Sequence, residues 1–392
     1  MNVRVIYFDN AATSWPKPPE VLAAIGECLA EAGGNPGRAG HRLSIAAARV
    51  VEETRELLAE FFNAGDPSRI VFTQNATHAL NVALYGLLRP GDHVVTTSIE
   101  HNSVMRPLRD LETRGVELAV ISCQPDGTLP LEEVRLTLRS RTRLLVTTHA
   151  SNVLGTVLPI EELAAAAHAV GALCLVDASQ TAGALPIDIE RTGVDLLAFT
   201  GHKALLGPTG TGGLFIRSGL DVAPLMRGGT GSDSDRETQP GFHPDVHESG
   251  TLNVAGIAGL AAGVRFLRDV GVDAVAAHER RLVIEFRERA AQIPGLTLYG
   301  PEDAASRCGV VSFNLASAGS SEVAQILDDS FGIMARAGLH CASSAHRTAG
   351  TFPAGTVRFA FGWFNTSDEI ATAMAALGEL ASWAAQKVAW TV

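Results

Sequence analysis

The sequence is poor in positive charge and contains no long hydrophobic run, and each scarcity excludes a class of protein. The 392-residue chain has a formal net charge of -11, and no basic stripe offsets it, which argues against nucleic acid and anionic membranes as partners. No apolar stretch is long enough to span a bilayer, and no charged-then-apolar signal segment precedes Tyr7. We therefore expect neither a nucleic-acid partner nor a membrane partner.

Cysteine is also scarce. The five cysteines are scattered, odd in number and without a C-x-x-C pair: Cys28, Cys123, Cys174, Cys308 and Cys341. This pattern argues against a disulfide framework and against a structural zinc site. The simplest interpretation is a protein of the reducing cytoplasm with no bound metal.

The sequence has enough hydrophobic residues, 46% of the total, for a well-buried core. Short β-branched runs alternate with turns and helix-period stretches, and they predict strands at 70–73, 94–97, 118–121, 144–148, 173–177, 196–200 and 213–216. Most of these runs are apolar throughout, as expected for strands covered on both faces. We predict an α/β domain with a doubly wound, mostly parallel sheet, whose crossover helices include 131–138 and 160–170.

The pattern changes after Gly250. The predicted elements there are helices at 254–267 and 278–291, a strand at 310–315, a helix from Ser321, a strand at 356–361 and a last helix from Ser367. They indicate a smaller α+β domain, joined to the first by a long helix around 255–290. We therefore divide the chain into a large domain at 15–255 and a small one at 256–392 together with 1–14.

A lysine and an aspartate follow two of the predicted buried strands. Lys203 comes after the run 196–200, and Asp177 closes the run 173–177. Such a pair at the carboxyl edge of a sheet suits pyridoxal 5'-phosphate, because the lysine can form the Schiff base and the aspartate can keep the pyridine nitrogen protonated. A lone aspartate there more often caps the next helix. A buried ammonium is costly unless the chemistry uses it.

Candidate cofactor ligands lie at other strand ends. Ala76 and Thr77 open a helix after a strand, and the free N–H groups and hydroxyl there form an anion site suited to the cofactor phosphate. His202 and Thr251 are further phosphate candidates. His101 could stack on the pyridine ring and move protons at the substrate Cα. The alternatives are that Thr77 is only an N-cap and that His101 only caps a helix or forms a hydrogen bond.

Polar residues near the same edge could complete the pocket. Asn152 and Gln180 could each hydrogen-bond the phenolic oxygen of the cofactor. Arg358, alone in the strand 356–361, could clamp an α-carboxylate through a bidentate pair, although an isolated arginine often forms a surface ion pair instead. Arg38 could border the substrate pocket.

Cys341 differs in context from the other four cysteines. It lies beside His340 and near Arg336 and Arg347, in a stretch predicted to be a loop. Such electropositive surroundings favour the thiolate, the reactive form of cysteine. The remaining cysteines are predicted to be small core residues.

Taken together, these residues resemble a known family: the pyridoxal-phosphate-dependent cysteine desulfurases of the class V aminotransferase fold, particularly the branch that includes selenocysteine lyases. The resemblance runs from Tyr7-Phe8-Asp9-Asn10 to Phe364-Asn365-Thr366. Its most specific segments are Glu100-His101, Ser151-Asn152-Val153-Leu154-Gly155, Val176-Asp177-Ala178-Ser179-Gln180, Gly201-His202-Lys203, Gly250-Thr251-Leu252-Asn253 and the Arg-x-Gly-x-His-Cys stretch that ends at Cys341.

The resemblance implies fold type I of the pyridoxal-phosphate enzymes and a role for each matching residue. The implied roles are Lys203 as Schiff-base lysine, Asp177 as pyridinium partner, His101 as ring-stacking acid/base, Asn152 and Gln180 at the ring oxygen, Ala76, Thr77, Thr200 and His202 at the phosphate, Thr251 reaching it from the second subunit of a homodimer, Arg358 at the substrate carboxylate, and Cys341 as sulfur acceptor. The implied reaction converts L-cysteine to L-alanine and leaves a persulfide on Cys341, from which a sulfur-acceptor protein could take the sulfur.

Two segments depart from the family pattern and leave alternatives open. The phosphate loop reads Asn75-Ala76-Thr77-His78, and the segment after the nucleophile reads Ala342-Ser343-Ser344 rather than Ala-Gln-Pro. The substrate could therefore be selenocysteine or a cysteine conjugate. A non-catalytic sulfur-relay scaffold is the alternative from another class, but it would have little reason to keep both Lys203 and Cys341.

Overall fold

A computed structural model of the protein describes residues 5–37 and 40–389. The strands in chain order are β1 (Ile6–Tyr7), β2 (Ile70–Thr73), β3 (His93–Thr97), β4 (Glu117–Ile121), β5 (Thr142–Thr148), β6 (Leu173–Asp177), β7 (Leu196–Thr200), β8 (Gly212–Ile216), β9 (Leu296–Leu298), β10 (Val310–Leu315), β11 (Ile333–Met334), β12 (Arg336–Gly338) and β13 (Thr356–Ala360).

The helices connect and cover these strands. They are α1 (Pro19–Glu31), α2 (Arg42–Phe62), α3 (Ala76–Leu87), α4 (Asn102–Thr113), α5 (Leu131–Thr137), α6 (Ile160–His168), α7 (Ile189–Thr192), α8 (Val254–Val270), α9 (Val272–Ala290), α10 (Ser320–Phe331), α11 (Ser343–Thr348) and α12 (Ser367–Ala389). Short 3₁₀ turns at Pro67–Arg69 and Ala304–Ser306 complete the regular structure.

The central sheet has seven strands in the order β2-β8-β7-β6-β5-β3-β4. Neighbours from β7 through β4 are parallel, and β8 runs antiparallel to both β7 and β2. All seven strands predicted for this sheet are present within two residues of the predicted bounds. The mostly parallel sheet is thereby confirmed, and its order reverses around β3 and β5, which is the kind of place where doubly wound sheets bind ligands.

Hydrophobic clusters cover both faces of the sheet. On one face, buried side chains of α2, α6 and α8, including Leu58, Leu163 and Leu260, pack against the strands. On the other face, Leu80 of α3 and Leu108 of α4 do the same. Burying one leucine contributes roughly 1.5–3 kcal/mol, so the two clusters fix the strands, and with them the positions of the strand ends.

A second, antiparallel sheet has the order β12-β13-β10-β9, and β1 pairs in parallel with β11 beside it. Side chains of α9, α10 and α12 pack on this region in a hydrophobic cluster of their own. One prediction was wrong. The long helix around 255–290 is two helices, because Gly271 adopts a φ of +87° between α8 and α9, a conformation that glycine tolerates and that ends a helix.

Candidate active site

A cavity of about 280 Å³ opens at the carboxyl ends of β5, β6 and β7. Its wall also contains residues from the start of α3 and α4 and from the β12–β13 sheet. The predicted site residues that line it are Ala76, Thr77, His101, Asn152, Asp177, Gln180, Thr200, His202, Lys203 and Arg358. The fold thus brings ten predicted residues from well-separated segments into one cavity, where parallel strand ends meet.

The predicted lysine–aspartate pair is present in this cavity. Burial lowers the pKa of Lys203 to about 8, and the negative charge of Asp177 opposes the shift. Asp177 is 3% exposed, and its Oδ1 accepts hydrogen bonds from the backbone N–H of Ser179, at 2.9 Å, and from the Ser179 hydroxyl. The aspartate therefore both caps the turn after β6 and contributes a charge to the cavity.

Unpartnered polar groups occur among the residues that line the cavity. Within the described part of the chain, Thr200 Oγ1 and His202 Nδ1 are buried without a hydrogen-bond partner. Both residues line the same cavity as the first turn of α3, whose free N–H groups attract anions. Buried polar atoms rarely stay unpaired, so this arrangement suits a phosphate group.

The cap of α3 is Asn75, whose Oδ1 accepts a hydrogen bond of 3.0 Å from the backbone N–H of His78. The alternative that Thr77 serves only as the N-cap is therefore wrong. Thr77 Oγ1 instead lies 2.8 Å from Ser103 Oγ, in the first turn of α4. Sequence analysis missed Ser103, although its position two residues after His101, at a helix start, is a recognisable signal.

His101 is the N-cap of α4, and its ring also lines the cavity. Its Nδ1 accepts a hydrogen bond of 3.0 Å from the Ser103 N–H and lies 2.8 Å from Ser103 Oγ. Burial, together with the positive charge of Lys203, lowers the pKa of His101 to about 4. The imidazole is therefore neutral near pH 7, and because Nδ1 is an acceptor its proton is on Nε2.

The neighbouring Glu100 is fully buried. Its Oε1 accepts hydrogen bonds from Thr97 Oγ1 at 2.6 Å and from the Thr148 N–H at 3.0 Å, which tie the end of β3 to the end of β5. Burial raises the pKa of Glu100 to about 8 despite these hydrogen bonds. Glu100 thus joins the ends of β3 and β5 next to His101 as a mostly neutral group.

Arg358 does not form the surface ion pair considered as its alternative role, since it is 1% exposed. Its Nη2 donates to Asp9 Oδ1 at 2.7 Å and its Nη1 to the Asn152 carbonyl at 3.1 Å. Its Nε is buried without a partner among the described residues. Arg336 is a second guanidinium in the same cavity wall. Two guanidinium groups at one wall favour a ligand with a carboxylate.

The two side-chain amides predicted to contact a ring oxygen each donate one hydrogen bond within the chain. Asn152 Nδ2 donates to the His340 carbonyl at 2.8 Å. Gln180 Nε2 donates to the Ala11 carbonyl at 3.2 Å. An amide NH₂ has two protons, so each group retains one donor for a ligand.

Cys341 is exposed and lies next to the cavity rather than in its wall, although its neighbours Arg336 and His340 do line the cavity. Arg336 Nη2 is 3.7 Å from the Cys341 sulfur. The predicted loop is a short strand, β12, followed by a turn at the cysteine. The other four cysteines are buried or half-buried. Burial raises the pKa of the Cys123 thiol to about 11 and that of Cys308 to about 12, so these thiols stay protonated.

One predicted cofactor ligand, Thr251, does not line this cavity. Thr251 is exposed and borders a separate cavity of about 150 Å³ that also contacts His78 and His247. Arg38 lies outside the described residues. Among the residues that the structure describes, no cluster of three or more His, Cys, Asp or Glu side chains is arranged to bind a metal ion, and no helix combines the length and the hydrophobicity needed to cross a membrane.

Comparisons with known proteins agree in pointing to one group. The family model for class V aminotransferases matches residues 6–372. A protein of Methanothermobacter thermautotrophicus described as a probable cysteine desulfurase is 37% identical, over 96% of this chain and 94% of that protein. The cysteine desulfurase of Haloferax volcanii is 35% identical, over 93% of this chain and 87% of that protein.

Solved structures give the same picture. The apo structure of a cysteine desulfurase from Thermococcus onnurineus NA1 superposes with a TM-score of 0.90 at 36% identity, over 96% of this chain and 95% of that chain. A cysteine desulfurase of Escherichia coli superposes with a TM-score of 0.84 at 28% identity, over 95% and 94% of the two chains.

Proposed function

The chain belongs to the class V aminotransferase family and has the fold type I architecture, and we propose that it is a pyridoxal 5'-phosphate-dependent cysteine desulfurase. The reaction converts L-cysteine to L-alanine and transfers the sulfur to Cys341 as a persulfide. The observation that carries the proposal is one cavity that holds Lys203 and Asp177 and is bordered by the loop of Cys341, an exposed cysteine 3.7 Å from an arginine of the cavity wall.

The residues of the cavity fit the cofactor. Thr200 Oγ1 and His202 Nδ1 are buried and unpartnered among the described residues, and together with Thr77 and the N-terminus of α3 they would hold the phosphate. Asp177 would pair with the pyridine nitrogen, and His101 would lie against the ring. When bound through Lys203, pyridoxal phosphate supplies an electron sink for bond cleavage at the substrate Cα.

The lysine would carry the proton between Cα and Cβ. A lysine with an ordinary pKa near 10.4 is almost entirely protonated at pH 7, whereas burial brings the pKa of Lys203 to about 8. A useful fraction of the amine is therefore neutral, and Nζ can accept the proton from the substrate Cα. Burial lowers the pKa of His101 to about 4, so its imidazole is neutral. It is therefore suited to orient the pyridine ring of the cofactor and does not repel the Lys203 ammonium.

Arg358 and Arg336 would bind the substrate α-carboxylate. Arg358 already has one partner in Asp9, which fixes the plane of its guanidinium, and its Nε is buried without a partner among the described residues. A fixed guanidinium binds a carboxylate with less loss of side-chain entropy than a free one. This placement would direct the substrate sulfur towards the loop of Cys341.

The sulfur transfer balances without another reactant. The Cys341 thiolate attacks the substrate sulfur, and the S–S bond forms as the C–S bond breaks. The electron pair of the C–S bond stays on Cβ, which takes from Lys203 Nζ the proton that came from Cα. Cα then takes the former thiol proton of the substrate, which the persulfide releases as it ionises, to give alanine. The enzyme retains the sulfur as the Cys341 persulfide, ready for a sulfur-acceptor protein.

We further propose a homodimer in which Thr251 of the second subunit reaches the phosphate. The exposed position of Thr251, outside the Lys203 cavity of its own chain, is compatible with that role. The division into a large domain at 15–255 and a small one at 256–392 with 1–14 is supported by the pairing of β1 with β11.

The test combines a spectrum with product assays. The purified protein should show the visible absorption of bound pyridoxal phosphate, and with L-cysteine and a reductant it should release alanine and sulfide in equal amounts. Cys341→Ala should keep the absorption and lose desulfuration by at least about 100-fold, since the nucleophile is removed. Cys123→Ala, which removes a half-buried thiol, is the matched control and should keep wild-type activity.

Two outcomes would contradict the proposal. Absence of both the absorption band and alanine formation would overturn the assignment as a whole. A wild-type rate of cysteine desulfuration by Cys341→Ala would show that another group takes the sulfur, and activity of that variant restricted to selenocysteine would favour a selenocysteine lyase.

A further inference from the structure

Two buried histidines form a hydrogen-bonded chain behind the turn that carries Cys341. His340 Nδ1 lies 3.2 Å from His346 Nε2, and the two rings stack with a centroid distance of 5.4 Å. His346 Nδ1 lies 2.7 Å from Thr351 Oγ1, and His340 Nε2 lies 3.3 Å from the Arg336 carbonyl. His346 is fully buried and His340 is 3% exposed. The proposed reaction assigns no role to His346 or Thr351.

The direction of each hydrogen bond in this series follows from the Arg336 carbonyl at its end. A carbonyl oxygen can only accept, so His340 Nε2 carries the proton that it donates to Arg336, and His340 Nδ1 must be an acceptor. His346 Nε2 therefore donates to His340 Nδ1, and Thr351 Oγ1 donates to His346 Nδ1. Burial and the charge of Arg358 lower the pKa of His346 to about 4 and that of His340 to about 2, so both rings are neutral near pH 7. Each nitrogen of the pair then has one defined role.

The turn in front of the chain needs such support. His340 and Cys341 both adopt left-handed backbone conformations, with φ values of +49° and +55°. Each such residue other than glycine costs on the order of 1 kcal/mol and persists only where the surroundings hold it. Two hydrogen bonds hold the backbone from the large sheet: Asn152 Nδ2 binds the His340 carbonyl, and the Asn102 N–H binds the Cys341 carbonyl, both at 2.8 Å. The His340 ring is the side-chain anchor of the same turn.

We propose that His346 is a positioning residue for the Cys341 nucleophile. His346 donates to His340 Nδ1 and so fixes the His340 ring. The fixed ring keeps the cysteine turn in the geometry that places the thiol beside Arg336. This inference rests on the proposed role of Cys341 as sulfur acceptor. Thr351 orients His346 in turn. Losing the His346 donor removes one of the two hydrogen bonds that hold the His340 ring, and the thiol then moves away from the Arg336 guanidinium.

The variants for the test are His346→Leu, which fills the space without a donor, and His346→Gln, whose amide can donate to His340 and accept from Thr351. The first measurement is the rate at which iodoacetamide alkylates Cys341 in the full-length protein without cysteine, read at the Cys341 peptide by mass spectrometry. The thiol is already exposed, so loosening the turn cannot greatly improve access. His346→Leu should slow alkylation about tenfold, as expected for a lost buried hydrogen bond that leaves its partner unpaired.

The second measurement separates positioning from general stability. His346→Leu should lower kcat for cysteine about tenfold and leave KM within about twofold, because Arg358 is held by Asp9 and by the Asn152 carbonyl rather than by the histidine pair. His346→Gln should restore both values to within about threefold of wild type. The matched control is His93→Leu, which removes another buried histidine–threonine contact, His93 Nδ1 to Thr142 Oγ1 at 2.9 Å. This contact lies at the amino ends of β3 and β5, whereas the active-site cavity lies at the carboxyl ends of the strands. It should change neither alkylation nor kcat by more than about twofold.

The outcomes decide the inference independently of the desulfurase assignment. If His346→Leu alkylates Cys341 at the wild-type rate or faster, or if His346→Gln fails to rescue it while both are folded, the inference is wrong. If the wild type makes no alanine from cysteine, the proposed function fails, but the alkylation order of the three proteins still tests the positioning. Should His346→Leu not fold, Thr351→Val serves instead, with an expected slowing of about threefold.

Discussion

The two sides of the active site are built in different ways. The proposed cofactor side, formed by Thr77, His101, Asp177 and Lys203, lies at the ends of strands in one sheet. It is held mainly by local hydrogen bonds, such as those that the Ser179 and Ser103 N–H groups donate to the side chains of Asp177 and His101. The nucleophile side, formed by the Arg336–Cys341 turn and Arg358, has the local contacts of His340 with Arg336 and His346, but it also depends on residues far away in sequence. Asn152 and His340 are 188 residues apart, and Asp9 and Arg358 are 349 apart. The first side therefore depends mainly on contacts along one sheet edge, and the second depends on how the β12–β13 sheet meets the large one.

The largest expected effect separates the two sides completely. Lys203→Ala removes the amine that would hold the cofactor and move the Cα proton, so the visible absorption band should be lost and desulfuration should fall by at least about 1000-fold. Alkylation of Cys341 should stay within about twofold of wild type, because none of the hydrogen bonds to the cysteine turn involves Lys203.

The measurements are the absorption spectrum, alanine release and the mass-spectrometric alkylation rate of one preparation. Lys203→Arg is the control that keeps the positive charge, and it should lose the band in the same way. Retention of a normal band in Lys203→Ala would show that another amine carries the cofactor and would overturn the assignment of the cofactor side.

Sequence reasoning predicted the shared location of the proposed cofactor side better than that of the proposed nucleophile side, for the same structural reason. Strand ends can be predicted from apolar runs, and residues directly after them, such as Asp177 and Lys203, must share one edge of a parallel sheet. Cys341 could be selected for its charged neighbours. Its left-handed turn and its distance from Arg336 depend on contacts between segments that no local pattern connects.

Three details of the structure could not be chosen from the sequence alone. Asn75 rather than Thr77 caps α3, and both residue types favour that position, so sequence alone could not choose between them. Arg358 was predicted on a strand, but its pairing with Asp9 joins β13 to the N-terminal segment. Gly271 divides the predicted long helix because its φ is positive, and a glycine inside a helical pattern is compatible with either outcome.

A buried carboxyl group close to Lys203 predicts a stability effect of intermediate size. Glu279 of α9 is 7% exposed, lines a small cavity with Lys203 and Gly309, and accepts a hydrogen bond from the Gly309 backbone. Burial raises its pKa to about 8. The folded protein therefore holds this proton more tightly than the unfolded chain, in which the pKa is near 4.3. This contribution to stability is complete below about pH 4 and is lost as the pH rises through 8.

Glu279→Gln keeps the shape and removes the titration. Relative to this variant, the wild type should lose on the order of 2–4 kcal/mol of unfolding free energy between about pH 5 and about pH 8.5. Urea unfolding of both proteins at the two pH values measures the difference, in which the contributions of other buried carboxyls, such as Glu100, cancel. Parallel behaviour of the two proteins across this range would mean that the folded protein does not hold the Glu279 proton more tightly than the unfolded chain does.

The smallest expected effect lies at Ser103, and it tests whether the cofactor side is as self-contained as its local contacts suggest. The Ser103 hydroxyl is 2.8 Å from both Thr77 Oγ1 and His101 Nδ1, so it links the starts of α3 and α4.

Ser103→Ala should weaken pyridoxal phosphate binding by about threefold to tenfold, as the loss of one or two neutral hydrogen bonds allows. Ser103→Thr keeps the hydroxyl and should bind the cofactor nearly as the wild type does. Absorbance titration of cofactor-depleted protein gives these affinities. Alkylation of Cys341 should be unchanged in both variants, because the hydrogen bond that joins α4 to the cysteine turn, from the Asn102 N–H to the Cys341 carbonyl, is a backbone bond that both variants keep. If Ser103→Ala instead slows alkylation more than it weakens cofactor binding, the two sides are coupled through the first turn of α4, and the separation between a locally built cofactor side and a remotely held nucleophile side is wrong.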